Sequence, residues 1–163
     1  MKLAVGLMFS ILFSNCFACE VPPSEQRTPP DELIARTKNI ALAKVVKAEI
    51  SGGNEVLYTF ETIKQLAGKT KEHFQILGYP AIWEGDNRGF NNHFDKDFWS
   101  EPGGRVSNDT DCQIHPTFSV GGTYLLFLDQ PYHAKSFEII IRTHGDATIR
   151  DKWLQYVERR TGP

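Results

Sequence analysis

The chain has 163 residues, 40% hydrophobic and 23% charged, with 18 Lys and Arg against 20 Asp and Glu for a formal net charge of −2. That balance suits one compact globular domain and excludes a multidomain machine, a disordered tail or a coiled coil. It also argues against nucleic acid as a partner, because neutralising phosphates requires a clustered surplus of Lys and Arg.

Met1 and Lys2 lead an apolar run from Leu3 to Phe13, interrupted only by Gly6 and Ser10, and small residues follow at Cys16 and Ala18. This is the layout of a secretory signal peptide over residues 1–18, cleaved after Ala18 to leave a single domain over 19–163. The run is too short to span a bilayer, which takes about 20 residues. The expected location is therefore outside the cytoplasm, periplasmic or secreted. Cys16 leaves with the leader, so Cys19 and Cys112 arrive together in an oxidising compartment. One disulfide between them is expected, closing a loop of about 94 residues and contributing ~4 to 5 kcal/mol in the chain-entropy model. Cys19 has a second available fate, lipidation by a lipoprotein signal peptidase, which would make the chain an envelope lipoprotein; only then is a membrane a partner.

After a proline-rich lead, Thr28 is placed to cap a short helix whose first turn holds Pro29, Pro30, Asp31 and Glu32 and which ends near Lys38. From Ile40 the period becomes two, with Ile40, Leu42, Val46, Ala48 and Ile50 assigned to one face. Ser51 to Asn54 supply a turn, and Val56, Tyr58 and Phe60 mark the inward face of a returning strand. Gly68 turns the chain again into a third strand around His73 to Leu77. The stretch from Gly78 to Asp111 has no sustained period, an irregular insertion of a length that is often functional; His93 to Trp99 suggests a helical turn within it. Tyr124 to Leu128 reads as a strand buried on both faces. Phe137, Ile139 and Ile141 alternate with Glu138 and Arg142 in a fifth strand, which points Glu138 outward. A final helix, capped by Asp146 or Thr148, carries Ile149, Trp153, Leu154 and Val157 at helical spacing.

Five strands without crossover helices exclude a parallel α/β fold. The expected fold is mainly β: a five-stranded antiparallel barrel of the OB type with a helix at each end, which hides the strand edges most economically.

The mature first residue Cys19, the helix Thr28-Pro29-Pro30-Asp31-Glu32-Leu33, the strand residues Tyr58-Thr59-Phe60 and the run containing Cys112, Phe118, Gly121, Gly122 and Tyr124 to Phe127 resemble the netrin-like domain. In particular they resemble bacterial exported relatives of the tissue inhibitors of metalloproteinases. The resemblance covers most of the mature chain. It implies an OB fold, a disulfide from Cys19 to Cys112, and a non-enzymatic binding or inhibitor-like role. In the animal inhibitors the α-amine and carbonyl of the first Cys chelate the zinc of a protease. The resemblance thus implies a zinc-chelating N-terminus at Cys19 and a metalloprotease as candidate partner. Unlike those inhibitors, this chain has Glu20 and Val21 after Cys19, a single candidate bridge and the long insertion.

Two constellations compete with this reading. His93, Asp95 and Asp97, with Asp109, Asp111, His115 and His133 elsewhere, are residue types that suit a metal-dependent hydrolase, although their spacing matches no tight ligand motif. Trp83, Phe90, His93, Phe94 and Trp99, together with Tyr79 and Phe98, form either a recognition surface or the insertion's own small core. No Ser-His-Asp order, phosphate-cradling loop or carboxylate pair is present, so neither an enzymatic activity nor a cofactor is expected.

Overall fold

The structure is a computed structural model that describes residues 23–80, 93–99, 116–140 and 151–162. The leader, Cys19, Cys112, Trp83 and Phe90 lie outside the described residues, as do Asp109, Asp111 and His115. In chain order come α1 (Pro23–Gln26), α2 (Pro30–Arg36), β1 (Ile40–Gly52), β2 (Glu55–Ala67), β3 (His73–Gly78), α3 (Lys96–Trp99), β4 (Thr123–Phe127), β5 (Phe137–Ile139) and α4 (Lys152–Thr161).

The five strands form one sheet in the order β3-β2-β1-β4-β5, with every neighbouring pair antiparallel. The strand count and the antiparallel pairing agree with the sequence reading. The sheet is open, with β3 and β5 at its edges, so the five strands do not by themselves make a closed barrel.

Both faces of the sheet's centre are covered, which explains why β4 is a continuous hydrophobic, buried run from Tyr124 to Phe127. Leu125 and Phe127 join Ile40 and Leu42 against α2 and α4, where Leu33, Trp153, Leu154 and Val157 are buried. Tyr124 and Leu126 face the opposite layer with Ala43, Val45, Val56, Tyr58, Phe60, Phe118 and Phe137. That second layer is rich in aromatic rings set edge to face: Phe118 lies 5.1, 4.9 and 4.8 Å from the rings of Tyr58, Phe60 and Tyr124.

The face assigned to β1 changes partway along the strand. Val46 is an extra residue between the pairs Val45↔Phe60 and Lys47↔Thr59. A one-residue bulge exchanges the two faces of a strand. Ala48 and Ile50 therefore pair with Tyr58 and Val56, on the face opposite Ile40 and Leu42, and do not share one face with them as the alternation had implied.

Both principal helices start differently from the sequence reading. Pro29, not Thr28, holds the N-cap position of α2, with no side-chain bond. Proline suits this start because the missing N–H has no intrahelical partner to lose. At α4 the cap is Asp151, not Asp146 or Thr148; its Oδ1 accepts the Leu154 N–H at 2.9 Å.

Asn39 ties the start of β1 to two turns. Its backbone N–H and Nδ2 donate to Asp129 at 2.6 and 3.0 Å, and its Oδ1 accepts the Lys69 N–H at 3.0 Å. Gly68 makes the second contact geometrically feasible: its φ is +67°, and a Cβ there would meet the Lys38 carbonyl and Asn39 Oδ1.

Candidate functional site

The described part of the insertion runs from His93 to Trp99 and is anchored by rings. Phe98 is fully buried and lies 5.6 Å from Trp153, with Trp99 5.8 Å from the same ring. The Trp99 indole N–H donates to the His93 carbonyl at 3.0 Å. These two aromatics thus pack as part of the core beside α4, while Phe94 remains 41% exposed.

His93 points inward and is fully buried. Nδ1 donates to Asp151 Oδ2 at 2.7 Å, and Nε2 faces Glu138 Oε2 at 3.4 Å. Three separate elements meet here: the turn before α3, the strand β5 and the cap of α4. Burial by itself would lower the imidazole pKa, but hydrogen bonds and charge from Asp151 and Glu138 outweigh it and raise the value to about 9. The ring is therefore an imidazolium at neutral pH, donating from both nitrogens. Lys135, also buried, places its ammonium 5.2 Å from the Phe98 ring centroid, and Phe98 in turn lies 4.4 Å from the His93 ring. Two cations thus accompany two carboxylates in the interior.

His133 is buried in the opposite protonation state. Its Nδ1 accepts the Lys135 N–H at 3.0 Å, which leaves Nε2 as the donor to the Thr28 carbonyl, also at 3.0 Å. Burial pushes its pKa down to about 4, and the charge of Lys135 acts in the same direction. With Ala134 N–H donating to the Gln26 carbonyl at 2.9 Å, this histidine fastens the N-terminal lead to the segment before β5.

A general base needs a nitrogen open to substrate, and a nucleophile needs a base within reach. His93 resembles the His–Asp half of a catalytic triad, but its second nitrogen faces another carboxylate and no solvent reaches the ring. Asp95 is exposed, the Asp97 side chain lies outside the described residues, and the carboxylates that bind His93 are Asp151 and Glu138. Among the described residues no group of three or more His, Cys, Asp or Glu side chains is arranged to hold a metal ion.

The candidate partner surface divides in the same way. His93 is interior, Trp99 is half-buried, Phe94 is exposed, and Trp83 and Phe90 lie outside the described residues. Sequence reasoning missed Asp151 and Glu138. An Asp just ahead of Lys152-Trp153-Leu154 is a recognisable cap signal; Glu138 carried no signal, since alternation with Phe137 and Ile139 pointed it to solvent. Among the described residues no helix is long and apolar enough to cross a membrane. No family model, curated protein or solved structure matches the chain, so the netrin-like resemblance rests on the residues quoted for it.

Proposed function

We propose that the chain is an exported, non-enzymatic binding module built on an OB-type barrel, with an inhibitor-like mode in which the N-terminus at Cys19 engages a metalloprotease. The observation that carries this reading is the burial of His93 and His133 in the interior. His93 and His133 are both shielded from solvent and use their ring nitrogens to hold segments together. Recognition then falls to exposed groups and to the N-terminus at Cys19, while His133 holds the lead at Thr28.

Support for the barrel comes from the two ends of the insertion. Tyr79 and Thr117 form a parallel bridge, Tyr79 N–H donates to the Pro116 carbonyl at 3.1 Å, and Tyr58 OH donates to the Tyr79 carbonyl at 2.6 Å. The chain leaving β3 is thereby drawn against the chain entering β4, the direction in which a sheet curls towards closure. For the inhibitor-like mode, an α-amine titrates near pH 8, so a useful neutral fraction exists to ligate zinc together with the adjacent carbonyl.

The test compares a chain beginning at Cys19 with one carrying a single extra residue ahead of it, both assayed against zinc metalloproteases. Inhibition by the first form and its loss in the second is the expected result. Equal inhibition by both, or none by either, overturns the inhibitor-like mode.

A further inference from the structure

The strand β1 outlasts one of its neighbours. β4 pairs with it only from Ile40 to Lys44. The next two bonds, Val45 N–H to the Gly122 carbonyl at 2.9 Å and Gly121 N–H to the Val45 carbonyl at 2.8 Å, close that flank. Beyond them β1 continues to Gly52 on β2 alone among the described residues, and every residue from Val46 onward is exposed. Val46 is 40% and Ile50 85% exposed. An exposed strand edge with apolar side chains is a template for a further strand.

The side chains along that edge decide which strand fits. Val46-Lys47-Ala48-Glu49-Ile50 is chemically palindromic: apolar, basic, small, acidic, apolar. Laid antiparallel against the same segment with Ala48 on the two-fold axis, Lys47 meets the partner's Glu49, Glu49 meets the partner's Lys47, and Val46 meets the partner's Ile50. Antiparallel registers centred on Lys47 or on Glu49 oppose like charges, and a parallel register opposes every charge to itself. Lys47 and Glu49 already pair within the chain at 2.8 Å with about half of each side chain exposed, so the self-paired edge carries four charges of alternating sign. Val120, 61% exposed beside Gly121, borders the end of the edge, where the Gly52-Gly53 tip of a second copy would arrive without side chains in the way.

We propose that the chain forms a two-fold dimer in which the free edge of β1, from Val46 to Ile50, pairs antiparallel with the same edge of a second copy, merging two sheets into one. The contacts are isologous and close upon themselves, so the edge is satisfied without growth into a filament. The paired segment is short, which places the association among weak interfaces with dissociation constants of about 10 to 100 μM.

Sedimentation of the purified chain between about 1 and about 300 μM tests this. A monomer–dimer equilibrium that weakens with added salt is expected. Lys47→Glu and Glu49→Lys should each weaken it by ~10-fold, since each turns both cross-strand pairs into like-charge contacts. The double variant Lys47→Glu/Glu49→Lys should return within ~3-fold of the original, because it rebuilds the same pairs with signs exchanged. Its recovery also separates an edge effect from misfolding. A monomer throughout the range, a dimer indifferent to the single reversals, or a double variant no stronger than the singles overturns the proposal.

Discussion

His93 and Asp151, 58 positions apart in the chain, meet at 2.7 Å in the interior. Asp151 uses one carboxylate oxygen for this bond and the other to cap α4 through the Leu154 N–H. One side chain thus fixes both the start of a helix and the position of His93, and Glu138 approaches the same ring from β5.

Replacing His93 with Ala leaves two buried carboxylates without their shared cation. Removing one partner of a buried ion pair typically costs ~3 to 5 kcal/mol, and urea unfolding should register a loss of that size. A loss of less than about 1 kcal/mol, the value typical of surface changes, would show that these carboxylates are neutralised by other groups.

The two buried histidines set opposite limbs of the stability–pH curve. His93 is raised to about 9 from an ordinary 6.5, so its contribution is fully present below about 6.5 and is lost as pH rises through 9. His133 is lowered to about 4, so its contribution is present above about 6.5 and is lost as pH falls through 4. Each shift is worth at most ~3 kcal/mol. Thermal melts across pH should peak near 6.5; His93→Gln should flatten the alkaline limb and His133→Gln the acid limb.

Asp151→Asn keeps an oxygen to cap α4 but removes the charge that holds His93 protonated. NMR titration of the His93 ring should show its pKa falling from about 9 towards 6.5. An unchanged value would assign the shift to Glu138 alone.

Two glycines with positive φ should respond differently to alanine. At Gly121, φ is +86° and a Cβ meets nothing within 4 Å, so only the cost of the left-handed backbone applies, about 1 kcal/mol. At Gly68 the Cβ also collides with the Lys38 carbonyl, so the loss should exceed ~2 kcal/mol. Denaturation midpoints of the two variants compare these costs directly.

Much of the sheet was legible because its signals are local. Alternation of Val56, Tyr58 and Phe60 gave the inward face of β2, and the unbroken apolar run at Tyr124 to Phe127 gave a strand covered on both sides. The bulge at Val46 was hidden because Val45 and Val46 are both apolar, so either satisfies the alternation. The surroundings of His93 were illegible for another reason: its partners lie 45 and 58 positions away, and only packing brings them together. Glu138 read as a solvent residue because period two assumes one wet face, whereas this side chain is fully buried beside His93.

We propose that this domain is exported with Cys19 as its mature first residue, linked to Cys112. The intact mass of the chain recovered from outside the cytoplasm, measured before and after reduction, tests it most directly. The expected species starts at Cys19, carries no lipid and is two hydrogens lighter before reduction than after; a retained leader, or two free thiols in the denatured unreduced protein, would overturn the proposal.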